Sequence, residues 1–468
     1  MQKIIFILDS VFEHQGIQAL SAFLKSKGYG AEVVFYEKGK TEQVLAEVSA
    51  RAPLLVGFSV TSMNFQWAVD LSLRLKALGI PVIFGGPHPT YFPEFIETEG
   101  VDIICAGEGE YPLLDLIQAL ESGSDFTGIK NLWVKSGGNI FRNELRCLIE
   151  DLDSLPYIDR EIFYKDSRLL AGFSSKRFLV GRGCPYNCTY CHNHELRLAY
   201  AGKGRFVRFR SPQNIIDEMK KVREDYGMKT VSFCADTFTL YPRLSEFLDL
   251  YKKEIGLPFF CQGRFNELTE EIARKLGEAG CFYMALGVES GNERLRNIVL
   301  KRNMSDGQIA SGSALLHKYG IKFIAYVMFG LPGETLAEAL STVEMLGRIG
   351  ADSIAPTIYQ PIIKTELWTY MEQHGLFEEK AAQSFSHYSY SSPVKMAHKR
   401  EIVNLHKIAF LGMRFPSFMP VIRLLIRLPH NPLFKLLNDY DLFRTYKVSR
   451  AMGLGEMLRL AWKIRKMT

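Results

Sequence analysis

The 468-residue sequence has no run of about 18 apolar residues free of charge, so no helix is expected to cross a bilayer. Cysteine is sparse. Eight occur, at positions 105, 147, 184, 188, 191, 234, 261 and 281, and five stand singly in apolar runs, as lone buried thiols do. A disulfide framework is therefore not expected, and the reducing cytoplasm is the natural compartment. Met1 to Asp9 carry one lysine and a short apolar run broken by aspartate, too little for a signal peptide and suited to a first strand. No repeat of about 20 to 50 residues is visible, which excludes a solenoid. Charge of one sign is scarce too: the net charge is +6, its excess lying at Arg414, Arg423, Arg427, Lys435, Arg444 and Lys447 among apolar residues. That bias is too weak for nucleic-acid binding, and no nucleic-acid partner is expected.

What is present is an ordinary globular composition, 47% hydrophobic and 23% charged, in a chain long enough for two or three domains of about 100 to 200 residues. The chemistry concentrates in Gly181-Arg182-Gly183-Cys184-Pro185-Tyr186-Asn187-Cys188-Thr189-Tyr190-Cys191. Its CxxxCxxC spacing lets one loop wrap three thiolates around three irons of a [4Fe-4S] cube and leaves the fourth iron open to a substrate or cofactor. The competing reading is a zinc site with His192 or His194 as fourth ligand, although no second CxxC pair accompanies the loop.

Residues 1 to about 135 alternate apolar runs with amphipathic stretches, the pattern of a parallel sheet covered by helices. Strands are expected at Ile4–Leu8, Ala31–Tyr36, Leu54–Ser59, Val82–Gly85 and Asp102–Cys105. Ligands of such sheets sit beyond the carboxyl ends of the strands. Here those ends carry Ser59-Val60-Thr61, Gly85-Gly86-Pro87-His88 and Gly107-Glu108-Gly109-Glu110. Ser59 and Thr61 can hydrogen-bond a ligand and Gly85 and Gly86 allow close approach, while simple chain reversal is the competing role. His88, alone between two prolines, reads as a surface or hydrogen-bonding residue. Residues 136 to 175 read as a linker with a small hairpin.

The βα rhythm resumes at the cysteine loop. Strands are expected at Arg177–Gly181, Thr230–Cys234, Phe259–Gly263, Tyr283–Gly287, Lys322–Phe329 and Ser353–Ile358, which suits a partial (β/α) barrel with its chemistry at the C-terminal strand ends. Those ends carry Asp236-Thr237, Arg264, Glu289-Ser290 and Gly330-Leu331-Pro332-Gly333. A carboxylate beside glycines can accept hydrogen bonds from ribose hydroxyls; the alternative for Glu289 is an ion pair with Arg264 or Arg302. Beyond residue 370 a helical tail is expected, including Arg400–Arg414 and Met419–Leu428. Arg423 and Arg427 stand four apart on one face, which suits packing on the protein body, with peripheral contact to an anionic membrane as the weaker reading. His387, Tyr388 and Tyr390 are substrate-contact candidates with a structural role as the stronger alternative.

The cysteine loop, these strand ends and the N-terminal sheet together resemble the cobalamin-binding radical S-adenosylmethionine (SAM) enzymes, the class B methyltransferases, over residues 1 to about 370. The resemblance implies an α/β fold: a Rossmann-like B12-binding domain at 1–135, a linker at 136–175, a partial (β/α)6 radical SAM barrel at 176–370, and a mainly helical region at 371–468 covering the substrate. It implies that Cys184, Cys188 and Cys191 hold a [4Fe-4S] cluster whose open iron binds SAM. Tyr190 then packs on the adenine, Asp236 and Thr237 hold the methionine portion, Glu289 and Ser290 the ribose, and Gly330 lies on the adenine side. Ser59, Thr61, Gly85 and Gly86 would surround the buried tail of the cobalamin, with the corrin facing the barrel. The Asp-x-His-x-x-Gly string that gives many B12 domains a lower cobalt ligand is missing, since Asp9 stands five residues before His14. No histidine ligand is expected from that motif.

The implied reaction is methylation of an unactivated carbon: one SAM methylates reduced cobalamin, and another yields the 5′-deoxyadenosyl radical that abstracts hydrogen before methyl transfer from methylcobalamin. Oxidative cyclisation or ring contraction on the same architecture is the alternative, and a non-catalytic iron–sulfur or cobalamin sensor the reading from another class. A methylthiotransferase needs three N-terminal cysteines, and only Cys105 and Cys147 precede the loop. The implied partners are an external one-electron reductant such as flavodoxin or ferredoxin and a substrate drawn from peptides or proteins, small antibiotic precursors, lipids or tetrapyrroles.

Overall fold

The computed structural model describes residues 3–10, 12–165, 167–378, 392–449, 453, 455–457 and 459. His387, Tyr388 and Tyr390 lie outside the described residues.

Strands buried on both faces need near-continuous apolar runs, and five such runs form the parallel part of the first sheet. They are β1 Lys3–Leu8, β2 Gly30–Phe35, β3 Leu55–Ser59, β4 Val82–Gly85 and β5 Ile103–Cys105. A hairpin of β6 Leu132–Ser136 and β7 Asn139–Arg142 pairs antiparallel with β5 and extends the sheet, in the order β2-β1-β3-β4-β5-β6-β7. The order reverses between β1 and β3, the switch point at whose carboxyl side open α/β sheets take ligands. Asn64 ties those two strand ends together, its Nδ2 donating to both Asp9 carboxylate oxygens at 3.3 and 3.2 Å. The compact unit built on this sheet comprises the described residues of Met1–Phe173, Leu196–Arg205 and Gly455–Thr468.

The second unit comprises the described residues of Ser174–Glu195 and Phe206–Leu454. It starts with β8 Ser175–Leu179 and a two-residue antiparallel pair, β9 Gly181–Arg182 and β10 Arg208–Phe209. Then follow β11 Thr230–Cys234, β12 Phe259–Gly263, β13 Cys281–Glu289, β14 Lys322–Phe329 and β15 Ser353–Ile358. The six parallel strands stand in the order β8-β11-β12-β13-β14-β15, the expected partial (β/α)6 barrel. Two of these strands differ from the sequence reading at both ends, each starting two residues earlier, at Ser175 and Cys281. The first barrel strand ends at Leu179 rather than Gly181, because Gly181 leaves the sheet to pair with Phe209. The fourth runs on to Glu289 through a register shift between Gly287 and Glu289.

Large aromatic side chains pack between the barrel strands and the helix Leu244–Glu254. Phe233 stacks on Phe238 at 4.8 Å between ring centroids and meets Phe247, Tyr251 and Phe259 edge-on at 5.3, 5.5 and 5.2 Å. The helix Lys399–Arg414 packs against β15 and the helix Leu336–Arg348, burying Leu405, Ile408 and Ala409 completely. Its Asn404 donates to the carbonyls of Ile426 and Leu428 at 3.0 and 2.8 Å, satisfying the end of the helix Met419–Leu425 and the turn after it. All eight cysteines are free thiols. Of the five scattered cysteines, Cys105, Cys261 and Cys281 are buried as the sequence suggested, Cys234 is half-buried, and Cys147 is exposed, because it lies in an irregular stretch rather than in a strand or helix. No described helix is long and apolar enough to cross a membrane.

Phe233 is fully buried at the centre of this aromatic cluster, so Phe233→Ala removes packing on several sides. The substitution is expected to destabilise the barrel by about 3–5 kcal/mol, read as a shift of its urea-unfolding midpoint.

Candidate functional site

The cysteine loop is shaped by steric necessity at its base and by hydrogen bonds along its length. Gly183 has φ +89°, and a Cβ there would collide with the Phe206 carbonyl, so only glycine lets the chain turn out of β9 beside the β10 segment. Further on, Thr189 donates from its amide to the Leu300 carbonyl at 3.3 Å and from Oγ1 to the Val299 carbonyl at 2.7 Å. Its own carbonyl accepts from the Leu367 amide at 2.9 Å. The loop carrying Cys188 and Cys191 is thus fixed to two distant parts of the barrel unit.

Burial raises two of the thiols: Cys184 is pushed up to about 12, chiefly by desolvation, with the fields of Asp236, Cys188 and Cys191 adding to it. Cys191 is pushed up to about 11 for the same leading reason, with Cys188 adding. These mutual influences place the three thiols in one neighbourhood. Among the described residues no three His, Cys, Asp or Glu side chains close around one point as ligands of a single ion do. A four-iron cube asks for a different arrangement, since each thiolate binds a separate corner. His192 Nε2 donates to the Ile363 carbonyl at 3.2 Å.

Two guanidinium groups lean on Cys188. Arg264 Nη1 donates to its Sγ at 3.5 Å and Arg302 Nη1 at 3.8 Å. Arg302 also donates from Nη1 to the Tyr190 hydroxyl at 3.1 Å and from Nη2 to the Gly287 carbonyl at 2.5 Å. It stands 3.8 Å from the Glu289 carboxylate, so the ion-pair alternative for Glu289 is realised. Desolvation works against the Arg302 charge, yet the fields of Tyr190, Glu289 and Cys188 hold its pKa above the ordinary value. Burial pushes Glu289 the other way from its partner's pull and wins, raising that carboxyl above its usual range. Arg302 Nε is buried without a partner. A buried cationic pair with an unused N–H beside three thiols fits a cluster whose thiolates bring negative charge.

The other barrel residues singled out in the sequence fall at the same strand ends but differ in availability. Tyr190 packs against a small apolar cluster that includes Leu331, Tyr359 and Leu367. Asp236 is exposed in a recess whose crowding raises its carboxyl pKa, with a hydrogen bond to Asn193 opposing. Thr237 is buried and its hydroxyl is spent on Glu267 at 2.7 Å. Ser290 is buried and its Oγ accepts the Asn292 amide at 3.2 Å. Gly330 donates its amide to Glu334 Oε2 at 2.6 Å. Sequence reading missed Glu267, which gathers Thr237, Thr239, Tyr186 at 2.6 Å and the Arg264 amide at 3.2 Å. Tyr186 in turn lies under the Arg264 guanidinium, 3.6 Å from ring centroid to carbon. Glu267 sits in a short turn with no motif around it, so no local signal marked it.

In the first unit, Ser59 and Gly85 end the neighbouring strands β3 and β4. Gly86 has φ +91°, and a Cβ there would come within 2.8 Å of Ser59 Oγ, so glycine keeps the hydroxyl and the turn together. Gly85 has only the Phe58 carbonyl, at 3.9 Å, near the place a side chain would occupy. Thr61 donates to Asn64 Oδ1 from its amide at 2.8 Å and its hydroxyl at 2.9 Å. The hydroxyls and the clearance at Gly85 suit an amide-rich ligand tail. The Gly107-Glu108 turn does not, because the Tyr200 hydroxyl accepts the Glu108 amide at 3.2 Å and fills the space over Gly107. His14 commits both ring nitrogens: Nδ1 accepts the Ile17 amide at 3.3 Å and Nε2 bonds Ser59 Oγ at 3.2 Å. His88 is buried, stacked on Phe65 at 4.3 Å and hydrogen-bonded to Ser62 at 2.9 Å.

An open parallel sheet with its switch-point loops is joined in one chain to a partial barrel carrying three loop cysteines, the architecture of a two-domain α/β protein with an iron–sulfur loop. Residues 5–117 match the family model of the B12 binding domain, and residues 178–346 match that of the radical SAM superfamily. The chain belongs to the B12-binding radical SAM proteins. Among curated proteins, an uncharacterized methyltransferase of Pyrococcus horikoshii is 28% identical over 69% of this chain and 70% of its own length. An anaerobic magnesium-protoporphyrin IX monomethyl ester cyclase of Rubrivivax gelatinosus is 23% identical over 80% and 68%. Among solved structures, the radical SAM methyltransferase TsrM of Kitasatospora setae, with cobalamin and a [4Fe-4S] cluster bound, shares the fold at TM-score 0.67 and 17% identity, over 91% of this chain and 99% of its own.

Two outcomes follow from these environments. Replacing Arg302 by methionine removes a cation and a donor from Cys188, and is expected to lower the reduction potential of the reconstituted cluster by tens of millivolts, read by electron paramagnetic resonance during a redox titration. His88 is depressed from 6.5 to about 4 by burial. Its contribution is therefore present above pH 6.5 and lost as pH falls toward 4, since the unfolded chain binds the proton first. That loss amounts to about 2 kcal/mol between about pH 7 and about pH 5, and His88→Phe should flatten it in urea-unfolding curves of the first unit.

Proposed function

We propose that the protein is a cobalamin-dependent radical SAM methyltransferase that places a methyl group on an unactivated carbon of its substrate. The observation that carries this reading is the gathering of Cys184, Cys188 and Cys191 on one pinned loop beside two buried arginines, in a chain that also holds a B12-binding domain. When bound, the cluster supplies the electron that cleaves SAM, and cobalamin supplies the carrier for the methyl group.

The three cysteines would hold the cluster through three irons. Arg264 and Arg302 donate toward Cys188 and offset the charge that three thiolates bring. Tyr190, with Leu331 and Tyr359, forms an apolar wall that keeps water from the side of the loop next to Glu289. Glu289, Asp236 and the Gly330 turn would accept hydrogen bonds from a SAM molecule; Ser290, whose Oγ accepts the Asn292 amide, would keep its own proton to donate, while Thr237 donates to Glu267 and would act by holding the strand end. Ser59, Thr61, Gly85 and Gly86 would hold the cobalamin tail. An external one-electron reductant such as flavodoxin or ferredoxin would supply the electrons. The second reading, oxidative cyclisation on the same cofactors, is favoured by the likeness to the cyclase of Rubrivivax gelatinosus.

The expected result with anaerobically reconstituted protein and methyl-labelled SAM under reduction is formation of both 5′-deoxyadenosine and S-adenosylhomocysteine. 5′-Deoxyadenosine alone would favour cyclisation. Cys188→Ala should reduce SAM cleavage to background, and retained cleavage would refute the enzymatic reading.

A further inference from the structure

The C-terminal stretch carries charge that the rest of the chain lacks. Residues 414–449 hold six Lys and Arg against two Asp and Glu, a balance of +4, whereas residues 1–413 sum to −2. The cationic character is local.

The same stretch leaves large apolar side chains in water. The helix Met419–Leu425 and the turn after it bury Ile422 and Ile426 in the barrel core, at 0% and 1% exposure. Val421, Leu424 and Leu428, spaced three and four apart on another face, are 38%, 65% and 45% exposed. The helix Pro432–Ser449 repeats the arrangement. Phe434 is buried in the core, while Leu433, Leu436 and Tyr440, again spaced three and four apart, are 57%, 66% and 61% exposed. Lys447 continues that row one heptad beyond Tyr440. Arg423, Arg414 and Arg444 are held by Glu344 and Asp441, but Arg427 and Lys447 have no ion pair among the described residues. Packing on the protein body thus accounts for one face of each helix only.

We infer that this C-terminal face is a docking surface for a bilayer containing anionic phospholipid, with the leucine and tyrosine rows entering the interface and the cations meeting the headgroups. Charge selects this occupant. A symmetric contact between two copies would set the same patch against itself, cation against cation, whereas an anionic surface complements it. No described helix is long and apolar enough to cross, so the chain lies on the surface rather than through it.

Vesicle binding reads this without turnover and so independently of methyl transfer. The full-length protein is expected to sediment with phosphatidylcholine vesicles containing about 30% phosphatidylglycerol, to stay in solution with pure phosphatidylcholine, and to be released by about 0.5 M salt. Leu424→Glu combined with Leu436→Glu should weaken binding at least about tenfold, as should Arg427→Glu combined with Lys447→Glu, with thermal melting followed by circular dichroism unchanged for at least one pair. Equal binding to both vesicle types, or wild-type binding by a folded variant, overturns the inference. So does a concentration-dependent dimer in sedimentation velocity that the leucine variant dissociates and that binds no vesicles, since the face would then be an interface between copies.

Discussion

The buried Arg302 guanidinium is the contact on which the barrel site depends. It reaches the Cys188 thiol, the Tyr190 hydroxyl, the Gly287 carbonyl and the Glu289 carboxylate, four groups from two elements far apart in sequence. A charge in so enclosed a place is costly unless its partners are well placed, and losing one partner of a buried pair costs about 3–5 kcal/mol. That cost runs in both directions. The loop and the end of β13 cannot shift independently, because any movement strands a buried cation. Arg264 adds a second hold by donating to the Arg302 carbonyl and resting on Tyr186 within the cysteine loop.

This arrangement also sets the electrostatics that thiols need before they bind iron. Burial holds Cys184 and Cys191 protonated well above neutral pH, so by themselves they are poor nucleophiles and poor ligands. Metal binding must release those protons, and its affinity is coupled to that release. Two guanidinium groups near Cys188 lower the cost of gathering the resulting thiolates in one enclosed place. Burial and cationic neighbours therefore act in opposition on the loop, the first excluding water and the second offsetting the charge penalty that exclusion creates.

The strands were legible in the sequence because each is an apolar run whose ends coincide with glycine or polar residues. Thr230–Cys234, Phe259–Gly263 and Ser353–Ile358 fall where the runs predict. The cysteine loop was legible for a similar reason, since its spacing is local. The side chains that organise the loop were not. Arg302 contacts Cys188 across 114 positions and Glu267 meets Tyr186 across 81, and no periodicity reports such a pairing. Availability was equally hidden. Thr237 looks like a ligand group in a sequence, yet its hydroxyl donates to Glu267 within the barrel, and the Gly107 turn is filled by Tyr200. For the segment carrying Arg423 and Arg427 the sequence favoured packing over membrane contact, because an amphipathic pattern fixes which residues share a face, not whether the protein body covers it.

Among the described residues, three of the six non-glycine positions with positive φ lie at or beside the Glu289–Arg302 pair. Glu289 has φ +65°, a region that non-glycine residues rarely occupy, at a register shift between β13 and β14. A bulge re-aims the side chain that follows it, and here it turns the carboxylate toward Arg302. The partner is delivered by an irregularity as well: Lys301 and Asn303 on either side of Arg302 have φ +49° and +52°. Each such residue costs on the order of 1–3 kcal/mol and persists only where its surroundings over-determine it. The Arg302 network supplies that determination, because relaxing either backbone would separate a buried cation from its carboxylate and from the thiol beside it. The strain and the network hold each other in place, and together they fix the one surface of the barrel on which the three cysteines are presented.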